Sequence, residues 1–417
     1  MPGRHGSGEW LLGRHQRRSV VPLRRRPGCG RPGARGTLTH PMRLLRQLTL
    51  AVFFIVTASV ASPALAQRVV AVADIHGSLD GVTAILQATD LVDADAHWTG
   101  GDAIFVQTGD FTDRGRGVRA VMDLLKRLEA DAAAAGGRVV GLLGNHEVMN
   151  MMRDVRDVTP EIYATFADNR SAGRRQAAYA AYRDWAEAAG RVVETETSWL
   201  EAHPPGYFAY QEAFEADGHY GQWLRGKSVV ARVDRSIFLH GGIHPAVEPT
   251  GLDARNAQAR EELAAFDRAR TRLIDAGAIL PFSTFQEILD LIRRRGRVEV
   301  EPDVAELLEA LADLSSWSVV DENGPLWFRG FALWRPADGG PQIARLLDRY
   351  DADRFVVGHS VLRSRRVTPR FDNGVFLIDT GMLASVYEGK PSALEIEGSR
   401  ITAVYVGERE RLVVPEL

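Results

Sequence analysis

Three polar segments of the chain carry side chains that could bind metal ions, and each follows a short apolar run. They are Asp74-Ile75-His76-Gly77, Gly109-Asp110-Phe111-Thr112-Asp113-Arg114-Gly115 and Gly144-Asn145-His146-Glu147. Carboxylate, amide and imidazole groups bind divalent transition metals such as Mn, Fe, Zn and Co. One such segment alone is a weak signal, because a turn aspartate beside a surface histidine is common. Three in succession, each after an apolar run, predict a metal centre.

The apolar runs before these segments predict the strands that position them. Val69 to Ala73, Ala103 to Val106 and Val139 to Leu143 are continuous β-branched and aliphatic runs, which are typical of buried strands. Between the last two, Val118 to Ala135 has apolar residues at helical spacing. Open α/β sheets hold their sites at the carboxyl ends of the strands. The pattern therefore predicts a layered α/β domain with mixed sheets and one site edge.

Later apolar runs repeat the arrangement. They are Ser236 to Leu239, Phe355 to Val357, Val375 to Ile378, Ala393 to Ile396 and Ile401 to Val406. The first three lead into His240-Gly241-Gly242, Gly358-His359 and Asp379. The last two flank Gly398-Ser399, which predicts a hairpin. Residues 150–228 and 251–320 are instead rich in helix formers, and we expect two helical insertions there, either packed on the core or forming a cap over the site.

In order along the chain, these segments resemble the signature motifs of the phosphoprotein phosphatase family, within the calcineurin-like metallophosphoesterases. The matching positions extend from residue 68 to about residue 385, and they are Asp74-x-His76-Gly77, Gly109-Asp110-x-x-Asp113-Arg114-Gly115, Gly144-Asn145-His146-Glu147, His240-Gly241-Gly242 and Gly358-His359. The common order of the motifs makes the resemblance specific. It implies two mixed β-sheets flanked by helices, with helical cap insertions, and the activity of a metal-dependent phosphoric monoester hydrolase.

The resemblance also implies a set of ligands for two divalent metal ions. One ion would be bound by Asp74, His76 and Asp110, and the other by Asp110, Asn145, His240 and His359. Asp110 would bridge the two ions. Two cations about 4 Å apart can acidify a shared water to a bridging hydroxide for in-line attack at phosphorus. The ligands do not decide among Mn, Fe, Zn and Co.

Further residues receive roles from the same resemblance. His146 would protonate the leaving group, with Asp113 fixing its orientation, and Arg114 would hold the phosphoryl oxygens. Arg329, in the segment Pro325 to Gly330, is the best match for the family's second phosphate-binding arginine. Outside the motifs, Arg225 is predicted to contact the substrate from the edge of the first helical insertion.

The chain departs from the eukaryotic serine/threonine phosphatases in the segment after its strand at Val375. It reads Ile378-Asp379-Thr380-Gly381-Met382, and its interval from His146 to His240 is longer. These features resemble the bacterial Shewanella-like phosphatases, so we expect hydrolysis of phosphotyrosine, phosphoserine or phosphothreonine in proteins, or of small phosphoesters. Two alternatives stay open. One is a dinucleoside polyphosphate hydrolase, and the other, disfavoured because every expected ligand is present, is a non-catalytic phosphoprotein-binding module.

The first 66 residues differ in composition from the rest. Residues 1–41 contain nine arginines and one acid, which predicts a disordered extension or a start upstream of the true one at Met42. Residues 42–66 have the pattern of a signal peptide. Arg43 and Arg46 form a positive flank, Leu48 to Val60 is an apolar run, and Ala64-Leu65-Ala66 supplies the small residues of a cleavage site. Cleavage after Ala66 would export the protein, with the periplasm as its compartment. The alternative is a membrane anchor, although the apolar run is shorter than the roughly 20 residues that a span needs.

Removal of that segment changes the charge of the protein. Residues 1–66 hold eleven of the 51 basic and one of the 54 acidic residues, so residues 67–417 carry 40 basic and 53 acidic residues, a net charge of −13. This balance argues against nucleic acid as a partner. The only cysteine, Cys29, lies in the same segment, so the mature chain would have no thiol chemistry. The sequence does not specify an oligomeric state.

Overall fold

A computed structural model of the chain describes residues 67–247, 251–295 and 301–412. The predicted extension at 1–41 and the predicted signal peptide at 42–66 lie outside these ranges. Within them, every helix is too short or too polar to cross a membrane.

Eleven strands in the described ranges form two mixed sheets. They are β1 (Val69–Val72), β2 (Ile104–Gln107), β3 (Arg138–Gly141), β4 (Val230–Val233), β5 (Ser236–Leu239), β6 (Arg354–Val357), β7 (Thr368–Arg370), β8 (Val375–Leu377), β9 (Ser392–Glu397), β10 (Arg400–Tyr405) and β11 (Glu408–Leu412). The first sheet has the order β11-β10-β9-β1-β2-β3, and the second has the order β4-β5-β6-β8-β7. Strands β1, β2 and β3 are parallel, as are β5, β6 and β8, while the remaining pairs are antiparallel.

Helices flank the sheets and also fill the two long intervals between strands. They are α1 (Leu79–Ala88), α2 (Val118–Ala134), α3 (Asn145–Met151), α4 (Pro160–Ala164), α5 (Ser171–Ala188), α6 (Glu196–Ala202), α7 (Tyr207–Phe214), α8 (His219–Arg225), α9 (Leu252–Asp275), α10 (Phe285–Arg293), α11 (Pro302–Ala310), α12 (Gly330–Leu333), α13 (Pro336–Tyr350) and α14 (Ala384–Tyr387). A 3₁₀ turn covers Leu314–Ser316. The predicted class, two mixed sheets flanked by helices, is confirmed.

The two faces of β1 belong to different hydrophobic clusters. Val70 and Val72 pack with side chains of α1 and α2, whereas Val69 and Ala71 share a cluster with Phe238 of the second sheet. Successive strand residues point to opposite faces, so a strand buried on both sides must be apolar throughout. Fully burying one such side chain stabilises the fold by about 1.5–3 kcal/mol. The strand β1 is therefore apolar throughout because helices cover one of its faces and the second sheet covers the other.

All eight strands predicted from apolar runs are present, and β9 and β10 form the predicted hairpin. The sequence did not predict β4, β7 and β11. All three lie at sheet edges, where one side of the strand lacks a partner and polar residues are tolerated. β11 shows this most clearly, because four of its five residues are charged.

Helices α4 to α8 lie within the first segment predicted to be helical, and α9 to α11 lie within the second. A cap would place these helices over the site. The site cavity is instead lined, from these two segments, by Arg156 and Asp157 in the loop after α3.

Candidate metal centre

The site lies where the parallel strands of both sheets end. A polar side chain follows each of these strands within four residues; in chain order they are Asp74, Asp110, Asn145, His240, His359 and Asp379. Asp110 and Asn145 are brought together by two glycines, because a Cβ on Gly109 would clash with the backbone of Gly144. Gly109 also has a φ of 101°, which L side chains rarely adopt.

A buried carboxylate, Glu147, anchors the loop that carries Asp110. Its oxygens accept hydrogen bonds from the backbone N–H groups of Asp110 at 2.8 Å, Phe111 at 2.9 Å and Thr112 at 3.0 Å. The N–H of Gly144 donates to it at 2.8 Å, and the Thr112 hydroxyl donates at 2.8 Å. Buried N–H and O–H donors cost free energy when they have no acceptor. Because Glu147 is the acceptor for all of these donors, it holds the loops after β2 and β3 in one arrangement.

Several predicted site residues have left-handed backbones, with φ between 46° and 66°; they are His76, Asp110, Asp113, Arg114 and His359. This conformation costs a non-glycine residue on the order of 1 kcal/mol, and it persists only where surrounding bonds impose it. Here the Asp110 carbonyl accepts the N–H groups of Ile75 at 2.9 Å and His76 at 3.0 Å. The first two polar segments are therefore joined through their backbones.

Three histidines each have one ring nitrogen within hydrogen-bond distance of a backbone carbonyl. His76 Nδ1 lies 2.9 Å from the Thr112 carbonyl, and His240 Nδ1 lies 3.1 Å from the Thr108 carbonyl. His359 Nε2 lies 3.1 Å from the carbonyl of Trp327. A carbonyl can only accept, so each of these nitrogens carries the proton and the other ring nitrogen is free to bind a metal. Burial lowers the pKa of His76 to about 3 and holds that of His359 well below its usual value.

The atoms around His240 have the spacing of ligands to one ion. Its Nε2 lies 3.1 Å from Asp110 Oδ2, 3.0 Å from Asn145 Oδ1 and 3.1 Å from His359 Nδ1. Two ligands that are each about 2.1 Å from an ion and at right angles to one another lie about 3 Å apart. The four side chains therefore fit a single divalent cation.

A second group shares Asp110 with the first. His76 Nε2 lies 3.7 Å from Asp110 Oδ2 and 3.9 Å from Asp74 Oδ2. Burial, followed by repulsion from Asp379 and Asp110, raises the pKa of Asp74 well above its ordinary value. Burial also raises the pKa of Asp379 to about 6. Carboxylates buried this close together are unfavourable unless cations neutralise them, so the donor set fits metal binding.

His146 differs from the other histidines because its partner is a carboxylate. Its Nδ1 lies 2.6 Å from Asp113 Oδ2, and its Nε2 lies 3.8 Å from Asp110 Oδ2. Burial opposes its protonation, but the charges of Asp110 and Asp113 outweigh burial and raise the pKa of His146 to about 9. Although its position beside His76 and Asp110 would also suit a metal ligand, a protonated imidazole is suited to donate a proton.

A chain of hydrogen bonds connects this pair to the first helical insertion. Asn150 Nδ2 donates to Asp113 Oδ1 at 2.8 Å, and the hydroxyl of Tyr210, in α7, donates to Asn150 Oδ1 at 2.6 Å. Tyr210 is almost completely buried. The insertion thus holds Asp113 from behind.

A cavity of about 630 Å³ opens over these groups. Arg114 and Arg329 line it, as predicted for phosphate-binding residues. Arg114 Nη1 lies 2.7 Å from His76 Nε2, and Arg329 Nη1 donates to the His359 carbonyl at 2.8 Å. Both guanidinium groups are therefore beside the two ligand groups.

Arg225 is the predicted site residue that the structure does not bring to the cavity. Its Nε and Nη2 pair with the carboxylate of Asp267 at 2.7 and 2.8 Å, and its Nη1 donates to the carbonyls of Phe214 and Gly221. These acceptors join α7, α8 and α9, which corrects the prediction that Arg225 contacts the substrate. The sequence shows only that Arg225 precedes the strands that lead to His240. That position does not decide whether its guanidinium points into the cavity or into a contact between helices.

Sequence reasoning missed several residues that line the cavity, namely Met149, Arg156, Asp157, Trp327, Val361, Arg365, Asp379 and Tyr387. Asp379 had a usable signal, since it follows a strand run as the other acids do. Tyr387 had none, because it follows no strand. Its ring stacks on His76 with 5.7 Å between centroids and lies 5.3 Å from the Arg114 guanidinium carbon.

Comparison with known proteins identifies relatives of this chain. It is 30% identical over 209 residues to Shewanella-like protein phosphatase 2 of Arabidopsis thaliana, covering 49% of this chain and 54% of that protein. It is 23% identical over 340 residues to Shewanella-like protein phosphatase 1 of Plasmodium berghei, covering 81% and 74%. The first match thus spans only about half of the plant protein.

Solved structures show the same architecture. A cold-active protein tyrosine phosphatase superposes with a TM-score of 0.54 and 25% identity, covering 84% of this chain and 79% of that one. A structure of such an enzyme from a psychrophilic Shewanella species gives a TM-score of 0.53, also at 25% identity, and covers 83% and 80%. The sequence model of the calcineurin-like phosphoesterase family matches residues 67–363. Together with the buried histidine and aspartate groups, this match shows that the chain belongs to the calcineurin-like phosphoesterase family of metal-dependent phosphoester hydrolases.

Proposed function

We propose that the protein is a protein phosphatase that hydrolyses phosphotyrosine, phosphoserine or phosphothreonine esters at a centre of two divalent metal ions. The observation that carries the proposal is the position of Asp110. Its carboxylate belongs to both ligand groups and lies beside the His146–Asp113 pair. A shared carboxylate with a proton donor next to it is the arrangement that phosphomonoester hydrolysis requires.

The proposed ligands follow the geometry of the strand ends. Asp74, His76 and Asp110 would hold one ion, and Asn145, His240 and His359 would complete the second site with Asp110. Two such ions would supply Lewis acidity for an in-line displacement at phosphorus. The ions would be Mn, Fe, Zn or Co, because mixed oxygen and nitrogen ligands accept each of these.

The protein side chains supply the remaining steps. Arg114 and Arg329 would hold the phosphoryl oxygens, and their positions on the cavity wall fit that role. His146 would protonate the departing oxygen from Nε2 while Asp113 holds the ring through Nδ1. The Tyr210–Asn150–Asp113 hydrogen bonds would keep this pair in place through the reaction.

Two observations support a protein substrate. Trp327, Tyr387 and Met149 line the cavity, so a phosphotyrosine ring entering it would meet aromatic and apolar side chains. The chain is similar in sequence to two Shewanella-like protein phosphatases and similar in fold to a solved protein tyrosine phosphatase.

Turnover of a matched substrate panel tests the proposal. Metal content is measured first, and then kcat/KM is determined for phosphotyrosine, phosphoserine and phosphothreonine peptides of one sequence and for a dinucleoside polyphosphate. We expect the phosphopeptides to be hydrolysed faster than the dinucleotide. A clear preference for the dinucleotide would replace this function with the nucleotide-cleaving alternative.

We also propose that the protein is exported after cleavage near Ala66, as the composition of residues 42–66 suggests. Expression of the full chain with fractionation and N-terminal sequencing tests this. A mature protein that begins at Gln67 in the periplasmic fraction is the expected result. Retention of residues 42–66 in a membrane fraction would favour the anchor.

A further inference from the structure

The site cavity is lined by four arginines, although residues 67–417 have a net charge of −13; they are Arg114, Arg156, Arg329 and Arg365. The proposed function uses two of them, Arg114 and Arg329, to hold the phosphoryl oxygens. The charges of Arg156 and Arg365 remain to be explained. Four aspartates, Asp74, Asp110, Asp157 and Asp379, line the same cavity. An arginine there attracts and orients an anionic substrate only where no carboxylate already pairs with it.

Arg365 is the less neutralised of the two. It lies in the loop after β6, and its backbone N–H and its Nη1 both donate to the carbonyl of Leu362 at 3.1 Å. Within the described ranges, no carboxylate oxygen lies within 4.0 Å of its guanidinium nitrogens. Its φ of 52° is a left-handed conformation that an arginine rarely adopts. The guanidinium is therefore held at the cavity by its own turn, with its charge unpaired.

The neighbouring arginines provide a graded comparison. Arg156, in the loop after α3, has its Nη2 2.8 Å from Asp154 Oδ2, so part of its charge is already matched. Arg366 follows Arg365 directly but pairs with Glu408 at 2.5 Å and Glu410 at 2.6 Å, and it does not line the cavity. Of the three, only Arg365 combines a place on the cavity wall with an unmatched charge.

We propose that Arg365 binds a carboxylate of the substrate next to the phosphorylated residue, so that the enzyme prefers phosphopeptides with acidic flanking residues. The phosphoryl group carries a charge of about −1.5 to −2 at neutral pH, which Arg114 and Arg329 can match. Arg365 then needs a second anionic group, and a peptide supplies one as an aspartate or glutamate side chain. Arg156 would add a weaker attraction. This inference rests on the proposed function as a protein phosphatase.

Paired peptides test the inference. Two phosphotyrosine peptides are compared that differ only in having Glu or Gln on both sides of the phosphorylated residue. The quantity measured is the ratio of kcat/KM for the Glu peptide to that for the Gln peptide, so that any general loss of activity in a variant cancels. The ratio is determined for the unaltered enzyme and for Arg365→Gln, Arg365→Lys, Arg156→Gln and Arg366→Gln.

We expect a ratio of about 5 for the unaltered enzyme, as for one partly solvated ion pair. Arg365→Gln should reduce it to near 1, Arg365→Lys should restore most of it, and Arg156→Gln should reduce it by less than twofold. Arg366→Gln should leave it near 5. A ratio near 1 in the unaltered enzyme, or a ratio that survives Arg365→Gln, would overturn the proposal.

The inference and the proposed function can fail separately. If p-nitrophenyl phosphate is hydrolysed but neither peptide is, the protein phosphatase assignment fails. The two peptides are then compared as inhibitors of p-nitrophenyl phosphate hydrolysis. Tighter inhibition by the Glu peptide that disappears in Arg365→Gln would still support an anion subsite at Arg365, and equal inhibition would reject it.

Discussion

The strand-end loops and the helical insertions of this protein hold their polar side chains in different ways. In the loops, buried groups are bound by backbone atoms, as with the three histidines on carbonyls and Glu147 on four N–H groups. In the insertions, charged side chains also bind one another, as with Arg225, whose guanidinium pairs with Asp267 as well as with two backbone carbonyls. Backbone partners fix a group to the fold itself, so the chemistry is specified by the loops.

Packing shows the same difference. The first insertion has an aromatic cluster in which the rings of Trp199 and His203 stack with 3.9 Å between centroids. Phe282 of the second insertion joins this cluster, with its ring 5.4 Å from that of Phe208. Such contacts stabilise a helical layer without placing a polar group in the cavity. Tyr210 is the exception, because its hydroxyl reaches the site through Asn150. The helices of the first insertion therefore act on the chemistry by holding Asp113, while Arg156 and Asp157 in the loop after α3 line the cavity directly.

The largest effect is expected at the residue shared by both ligand groups. Asp110→Asn removes the one charge that both ions would share, so we expect kcat/KM to fall by about 10⁴-fold or more and the bound metal to fall by at least one ion per chain. Elemental analysis and phosphatase assays on the same preparation measure both. Asp184→Asn, on the exposed surface of α5, is the matched control and should change neither. Full metal content with full activity in Asp110→Asn would contradict the proposed centre.

The next effect is expected at His146. Replacement by Asn removes the proton donor, and kcat should fall by about 10²- to 10⁴-fold while metal content is retained. The loss should be greater for a phosphoserine peptide than for p-nitrophenyl phosphate, because an alkoxide needs protonation more than a nitrophenolate does. An equal loss on both substrates, together with lost metal, would indicate that His146 is a ligand and not the acid.

Asp113→Asn should have a smaller effect with a signature in the pH profile. The carboxylates of Asp110 and Asp113 raise the pKa of His146, so removing one of them lowers it. A general acid must be protonated to act, and the alkaline limb of kcat/KM should therefore move to lower pH in the variant. Profiles from pH 6 to 10 on p-nitrophenyl phosphate measure the shift. An unmoved limb would mean that another group sets it.

The strand ends were predictable because each predicted ligand segment follows an apolar run, and a buried strand and its terminal loop leave a local pattern. Asp74, Asp110 and His240 are examples. The supporting residues were not predictable in the same way. Tyr210 is 60 residues from Asn150 in sequence, and Tyr387 reaches His76 from the far end of the chain. Such contacts depend on how distant helices pack, and no spacing in the sequence encodes them.

Arg225 and Arg329 test the comparison between insertion and loop most directly, since both were predicted to contact the substrate. Arg225→Gln breaks a pair in which each side chain is less than one quarter exposed, 17% for Arg225 and 23% for Asp267. It leaves Asp267 without its partner, so we expect the free energy of unfolding to fall by about 1–3 kcal/mol. KM for p-nitrophenyl phosphate should stay within twofold, because the guanidinium faces α7 and α9 and not the cavity.

Arg329→Gln should behave in the opposite way. Its guanidinium lies on the cavity wall, so KM should rise or kcat/KM should fall by about tenfold, with little change in urea denaturation. Measuring both quantities on both variants separates a helix contact from a substrate contact. If Arg225→Gln instead raised KM as much as Arg329→Gln and left the free energy of unfolding unchanged, the first insertion would contact the substrate. The distinction between loops that carry out the chemistry and helices that support them would then be wrong.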